Sequence, residues 1–125
     1  MKIIINTPNA PAPIGPYNQA IKIENTLYTS GQIAINPTTN ELVMETIEAE
    51  TKMVMENLKA VLEAADMKFT NVIKCTIFIS DMNNFGKINE VYGSYFASDF
   101  PARETVEVAC LPKNVNVEIS AIAVD

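Results

Sequence analysis

The stretch TIEAETKMVMENLKAVLEAADMKFTNVIKCTIFIS, residues 46–80, sets two hydrophobic periods back to back. Over 46–65, Ile47, Val54, Leu58, Val61, Leu62 and Ala65 recur at three- and four-residue steps, which lays a single apolar stripe along a helix. Glu48 with Lys52 and Lys59 with Glu63 are i,i+4 pairs on the opposite side, worth only ~0.2–0.5 kcal/mol each. Glu45 and Glu48 suit the positive end of the helix dipole. Over 72–80 the period shortens to that of a strand, with Ile73, Cys75, Ile77 and Ile79 on one face of a β-branched run. A helix leading directly into a strand calls for an architecture that mixes both.

Downstream, Phe85, Ile88, Tyr92, Tyr95 and Phe96 predict a second helix over 84–98, capped by Asp81 or Asn83. Residues 103–110 and 115–124 read as the last two strands, joined by Leu111-Pro112-Lys113-Asn114. Pairing Cys110 with Val115 in that connection would set Glu107 against Glu118, an unfavourable match unless a cation or a proton intervenes. Upstream, 3–5 is a short strand. Four of the seven prolines fall within 7–16, which makes that segment an extended loop. Residues 17–24 and 26–34 read as strands around a turn at Asn25. Asn36-Pro37-Thr38-Thr39-Asn40 is turn chemistry ahead of the short run 42–44. The order β-β-β-(β)-α-β-α-β-β describes one α+β domain over 1–125, a mixed β-sheet with two helices packed on one face. The other face then needs cover, and the alternation of Val115, Val117, Ile119, Ala121 and Ala123 points to a partner subunit.

Hydrophobic residues make up 48% of the 125-residue chain and charged residues 19%, a globular composition. No apolar run approaches the ~20 residues that span a bilayer. The opening Met1-Lys2-Ile3-Ile4-Ile5 is too short an apolar stretch for a signal peptide. The expectation is a soluble, cytoplasmic protein with no membrane partner. The net charge of −6, with Lys2, Lys22, Lys52, Lys59, Lys68, Lys74, Lys87, Arg103 and Lys113 scattered, argues against nucleic acid as the main partner. Histidine is absent, which removes the usual general base near pH 7, the usual transition-metal ligand and every His-dependent triad. Cys75 and Cys110 each sit in an apolar run and read as buried, reduced thiols. Without histidine they make no common zinc site.

Two groups of motifs narrow the reading further. Residues 10–20, APAPIGPYNQA, followed by Thr29-Ser30-Gly31-Gln32-Ile33, closely resemble the amino-terminal signature of the YjgF/RidA family. Pro101-Ala102-Arg103-Glu104-Thr105-Val106-Glu107-Val108, then Leu111-Pro112 and Val117-Glu118-Ile119, resemble its carboxy-terminal one. The match runs in order along essentially the whole chain. The resemblance implies a chorismate-mutase-like fold, a homotrimer and a pocket in each cleft between subunits. It also implies cofactor-free hydrolysis of reactive enamines or imines, such as 2-iminobutanoate and 2-iminopropanoate, to 2-keto acids and ammonia. An endoribonuclease activity on messenger RNA is also attached to this family, under the name liver perchloric-acid-soluble protein. A third reading is a non-catalytic trimer that binds small carboxylates in the same clefts.

Carried over by position, the resemblance makes Arg103 the residue that grips a substrate carboxylate and Glu118 the acid that positions or activates water. It makes Tyr17, Ser30 and Asn89 polar pocket residues and puts Gly31 where backbone comes close to ligand. Thr105 stands where many relatives carry cysteine, and Cys110 where many carry arginine. The chemistry is coherent: a guanidinium is a planar, permanently charged fork for a carboxylate, and Arg103 is the only arginine in the chain. Each residue also has an ordinary role open to it. Arg103 could form a surface or interface ion pair, Glu118 could face solvent on an alternating strand, and Tyr17 could anchor its loop. Ser30 could serve a turn, and Asn89 could lie exposed on its helix. Phe85, Tyr92, Tyr95 and Phe96 read as core.

Overall fold

The computed structural model describes residues 1–125. The elements are β1 (Lys2–Ile5), β2 (Ala20–Ile23), β3 (Thr26–Thr29), α1 (Ile47–Ala64), β4 (Val72–Ile79), α2 (Phe85–Gly93), β5 (Ala102–Glu107) and β6 (Val117–Val124). The strands form one mixed sheet in the order β1-β2-β3-β6-β4-β5, in which only β4 and β5 run parallel. Both helices pack on one face, and none is long and apolar enough to cross a membrane.

Helix α1 follows its sequence closely. The Thr46 side chain accepts from the Ala49 N–H at 3.0 Å, a cap worth about 1 kcal/mol. At the other end Asp66 takes a left-handed conformation (φ 57°). There the Met67 N–H reaches the Leu62 carbonyl and the Asp66 N–H the Glu63 carbonyl, both at 2.9 Å, closing the helix. Val54, Leu58, Val61 and Leu62 are fully buried against Leu27, Cys75, Ile77, Val117, Ile119 and Ala123 of the sheet. Truncating one of these leucines or isoleucines to alanine costs about 2–5 kcal/mol. The i,i+4 pairs Glu48–Lys52 and Lys59–Glu63 form no ion pair; the two salt bridges are Lys22–Asp125 and Lys74–Glu104.

Several expectations are corrected. The early strands are shorter than 17–24 and 26–34, and 32–35 and 42 contribute only isolated bridges, Gln32 to Ile119 and Ile35 to Leu42. Ile73 points outward because a bulge between Val72 and Lys74 adds a residue to β4, leaving Val72 rather than Ile73 inside. Helix α2 ends at Gly93, five residues early on the expected span. Beyond it, Tyr95 and Phe96 each bond back three residues in tight turns, at 3.2 Å, while their rings still join the core with Phe69 and Tyr92. Cys75 is buried as expected, but Cys110 is exposed, because it lies past the end of β5.

The largest correction concerns the last two strands, which are not partners. Segment 108–116 wraps around the end of β4: the Val108 N–H bonds the Ile79 carbonyl at 2.9 Å, and the Ser80 N–H bonds the Asn116 carbonyl at 3.0 Å. β4 therefore lies between β5 and β6, Glu107 pairs with Ile79 and Glu118 with Phe78, and the two glutamates never meet. The alternating set Val115, Val117, Ile119, Ala121 and Ala123 is buried by the chain's own fold rather than left for a partner. The uncovered face is lined instead by the intervening positions. Ile4, Ile21, Tyr28 and Ile122 form a cross-strand row there, flanked by Ile23, Phe78 and Val106, with Ile4 and Tyr28 each 50% exposed.

Candidate functional site

The predicted residues gather in two groups on opposite faces of the sheet. Ladder partners share a face, so Arg103 and Thr105, paired with the buried Cys75 and Ile77, lie on the helix side of β5. Glu118, paired with Phe78, lies on the open side of β6. β4 separates them within one chain.

On the helix side, the Arg103 Nη1 donates to Asn89 Oδ1 at 2.6 Å. Its guanidinium carbon stands 5.6 Å from the Phe85 ring centroid and 5.1 Å from that of Tyr92. Each such cation–π contact is worth about 0.5–1 kcal/mol at a partly exposed site. Phe85, Asn89 and Tyr92 are spaced by four and three residues, so one face of α2 presents ring, amide and ring to the guanidinium. Of its five N–H donors this is the one hydrogen bond Arg103 makes, and no carboxylate pairs with it. A half-buried cation without a counter-ion, in a chain of net charge −6, has four donors free for an anion. The Thr105 Oγ1 and Tyr92 hydroxyl nearby are buried without partners. Burial pushes the Cys75 thiol up, offset in part by Tyr92 and Arg103 beside it.

On the open side, Ile14, Tyr17, Ser30, Gly31, Ile33, Pro112 and Glu118 line a cavity of about 310 Å³. The Tyr17 hydroxyl accepts from the Ile14 N–H at 3.2 Å, which ties the proline-rich loop to the cavity's rim. The Ser30 hydroxyl donates to the Asn18 carbonyl, so it anchors the same loop while its oxygen can still accept. The Gly31 N–H and carbonyl make no hydrogen bond within the chain. The Glu118 side chain lies directly over the Gly31 Cα, so what approaches this glycine most closely is the carboxylate itself. Burial pushes the Glu118 carboxyl above its usual 4.5, with no cation in the cavity lining to oppose it.

Known proteins match this chain along nearly its whole length. The family model described as Endoribonuclease L-PSP matches residues 7–125. A RutC family protein of Pyrococcus horikoshii is 54% identical over 98% of both chains. A 2-iminobutanoate/2-iminopropanoate deaminase of Dermatophagoides farinae is 52% identical over 98% of this chain and 96% of its own. The crystal structure of E. coli TdcF with bound serine, 42% identical, superposes with a TM-score of 0.95 over 98% of each chain.

The chain belongs to the YjgF/RidA family.

Within this YjgF/RidA fold, sequence reasoning missed Phe85 and Tyr92 as a bracket for the guanidinium, although their spacing around Asn89 was legible. Ile14, Ile33 and Pro112 were also missed as cavity walls, because nothing in a linear pattern says which loops converge.

Glu118 carries a stability signature. With its carboxyl raised in the folded state, the folded chain binds more protons than the unfolded one between 4.5 and that raised value. Stability therefore falls as pH climbs through this window, and the cost is full above it. Glu118→Gln removes the cost. Its melting temperature is expected to exceed the wild type's at pH 7, and the difference should vanish below pH 4.5. Thermal melts across pH check this; equal melting temperatures at pH 7 would contradict a desolvated carboxylate.

Proposed function

We propose that this chain hydrolyses 2-imino acids, such as 2-iminobutanoate and 2-iminopropanoate, and their enamine tautomers, to 2-keto acids and ammonia. The catalytic clefts lie between copies of the chain in a chorismate-mutase-like homotrimer. The observation that carries the reading is the unpaired Arg103 guanidinium, held by Asn89 and two rings with four donors free. Such a fork suits the carboxylate of a small 2-imino acid. The name of the Dermatophagoides relative supports the substrate class, and the serine bound in TdcF supports a small amino-acid-like ligand.

The second half of the chemistry belongs to Glu118. Water adds to the carbon of the protonated imine while the Glu118 carboxylate takes one of its protons, giving a neutral carbinolamine. The protonated Glu118 then gives that proton to nitrogen, and its carboxylate takes the hydroxyl proton as the C–N bond breaks, the carbonyl forms and ammonia leaves. That proton then passes to ammonia or solvent, which restores the carboxylate. A carboxyl raised by burial is suited to both halves of this exchange. Gly31 lines the same cavity, and its free N–H is a donor for the substrate or the intermediate's oxygen. Thr105 supplies a buried hydroxyl beside the carboxylate fork.

Arg103 and Glu118 lie on opposite faces of one sheet, so one substrate meets both only where two copies adjoin. The uncovered apolar row of Ile4, Ile21, Tyr28 and Ile122 is a surface such an assembly would bury. Light scattering should give three times the 13.7 kDa of the chain.

The decisive assay generates an imino acid in place with an amino-acid oxidase and follows keto acid release. The wild type should accelerate release. A sharper test mixes two inactive variants, Arg103→Ala and Glu118→Gln, after dissociation and reassembly. Roughly a quarter of the clefts then regain both residues from different chains, and activity should return to that fraction. No recovery would place both residues of each site in one chain. Binding without acceleration would instead make the protein a carboxylate-binding module. Cleavage of RNA, lost in Arg103→Ala, would favour the endoribonuclease reading suggested by the family model's description.

A further inference from the structure

Glu50 is a carboxylic acid with no exposure to solvent, on the sheet-facing side of α1 in its first turn. Its Oε2 accepts from the Asn116 N–H at 2.7 Å and its Oε1 from the Asn116 Nδ2 at 2.8 Å. The Asn116 Oδ1 accepts from the Ser80 Oγ at 3.1 Å, and its carbonyl from the Ser80 N–H at 3.0 Å. Asn116 is thus held by four hydrogen bonds, two from a helix and two from the end of β4. Burying a carboxylate is costly, so its presence at a fully enclosed position calls for a reason.

The reason lies in what Asn116 holds in place. One residue further back, beyond Val115, Lys113 and Asn114 both adopt left-handed backbone, each with φ 56°. Two such residues in a row, neither of them glycine, are strained and persist only when their surroundings fix them. Pro112, which opens this turn, lines the same cavity as Glu118, and Glu118 stands two residues beyond Asn116. Glu50 itself does not line the cavity.

We propose that Glu50 is a positioning residue for the reaction: by clamping Asn116 it fixes the strained 112–114 turn and the start of β6, and so holds the Glu118 carboxylate over Gly31. This rests on Glu118 being the acid that handles water in the proposed hydrolysis.

The test uses Glu50→Ala, Glu50→Gln and Ser80→Ala in the full chain, with two independent readouts. The first is NMR titration of the Glu118 side-chain carboxyl, which needs no activity. The second is kcat and KM on imino acids generated in place. Glu50→Ala should move the Glu118 titration down toward 4.5 as the carboxylate loses its enclosed place. It should also lower kcat about tenfold with KM changed less than about twofold, because the Arg103 grip lies on the other face. Glu50→Gln keeps one acceptor oxygen for Asn116 and should restore most of both. Ser80→Ala removes one outer hydrogen bond, folds more readily, and should shift the titration the same way by less.

A folded Glu50→Ala with the wild-type Glu118 titration and kcat overturns the proposal. Should that variant not fold, an unmoved titration in Ser80→Ala does so. If the wild-type protein fails to accelerate imine hydrolysis, the proposed function falls, while the titration still decides whether Glu50 governs Glu118.

Discussion

Arg103→Ala is expected to lower kcat/KM for 2-imino acids by about 10²–10³-fold, the loss of a two-pronged, charge-assisted contact in a partly desolvated site. Most of the loss should fall on KM, since the substrate carboxylate is equally charged before and during water addition. Arg103→Lys should recover only a minor part. Its ammonium keeps the charge but neither the planar fork nor the stacking between Phe85 and Tyr92, 5.6 and 5.1 Å from the present guanidinium. Stability should change little: the variant gives up one hydrogen bond to Asn89 and two partly exposed cation–π contacts, but also relieves an unpaired charge. Steady-state kinetics beside thermal melts separates the two effects. Activity within about threefold of wild type would remove Arg103 from the substrate site.

How far such roles could be read from sequence differs from residue to residue. Helix α1 was legible because its apolar stripe and the acidic residues near its start agree with the burial the fold gives it, so local preference and tertiary burial point the same way. The neighbouring strand was legible as an element but not in phase. The bulge at Ile73 arises from pairing with Ala123 and Ile122, distant in sequence, and shifts which isoleucine faces the core. The pairing of the last strands failed for a related reason. A connection such as Leu111-Pro112-Lys113-Asn114 reads locally as a hairpin, whereas a long-range contact, Asn116 to Glu50, helps carry it around the end of β4.

The site shows the same division. Arg103, Glu118, Tyr17, Ser30, Gly31, Asn89 and Thr105 were all nameable from motifs, but their separation onto two faces follows from sheet order, which no motif encodes. That separation makes the pairing of copies a chemical requirement of the proposed reaction as well as a way to bury Ile4, Tyr28 and Ile122. Assembly and catalysis then share one surface, so variants that weaken the interface should lose activity in step with dilution.

Gly31→Ala is expected to separate catalysis from stability most cleanly. No glycine in this chain has positive φ, so Gly31 is not required by backbone conformation. It is required by proximity: a Cβ there would stand 2.7 Å from the Glu118 Cδ and 2.8 Å from its Cγ. These distances are too short to keep, and the side chain of Glu118 must rotate away. Because the obstructing atoms belong to a flexible side chain and its new position is better hydrated, the change should cost less than about 1 kcal/mol of stability. Misplacing a proton-transferring carboxylate by an ångström or more should instead lower kcat about 10²-fold, with KM nearly unchanged because Arg103 is untouched. The Glu118 titration should fall toward 4.5 as the carboxylate enters water. A double-mutant cycle isolates the cause. In a Glu118→Ala background, adding Gly31→Ala should have no further effect on the residual rate, since the group it displaces is gone. If Gly31→Ala slows that background as much as it slows the wild type, then the glycine acts on the substrate directly, and the carboxylate resting on it is incidental to the chemistry.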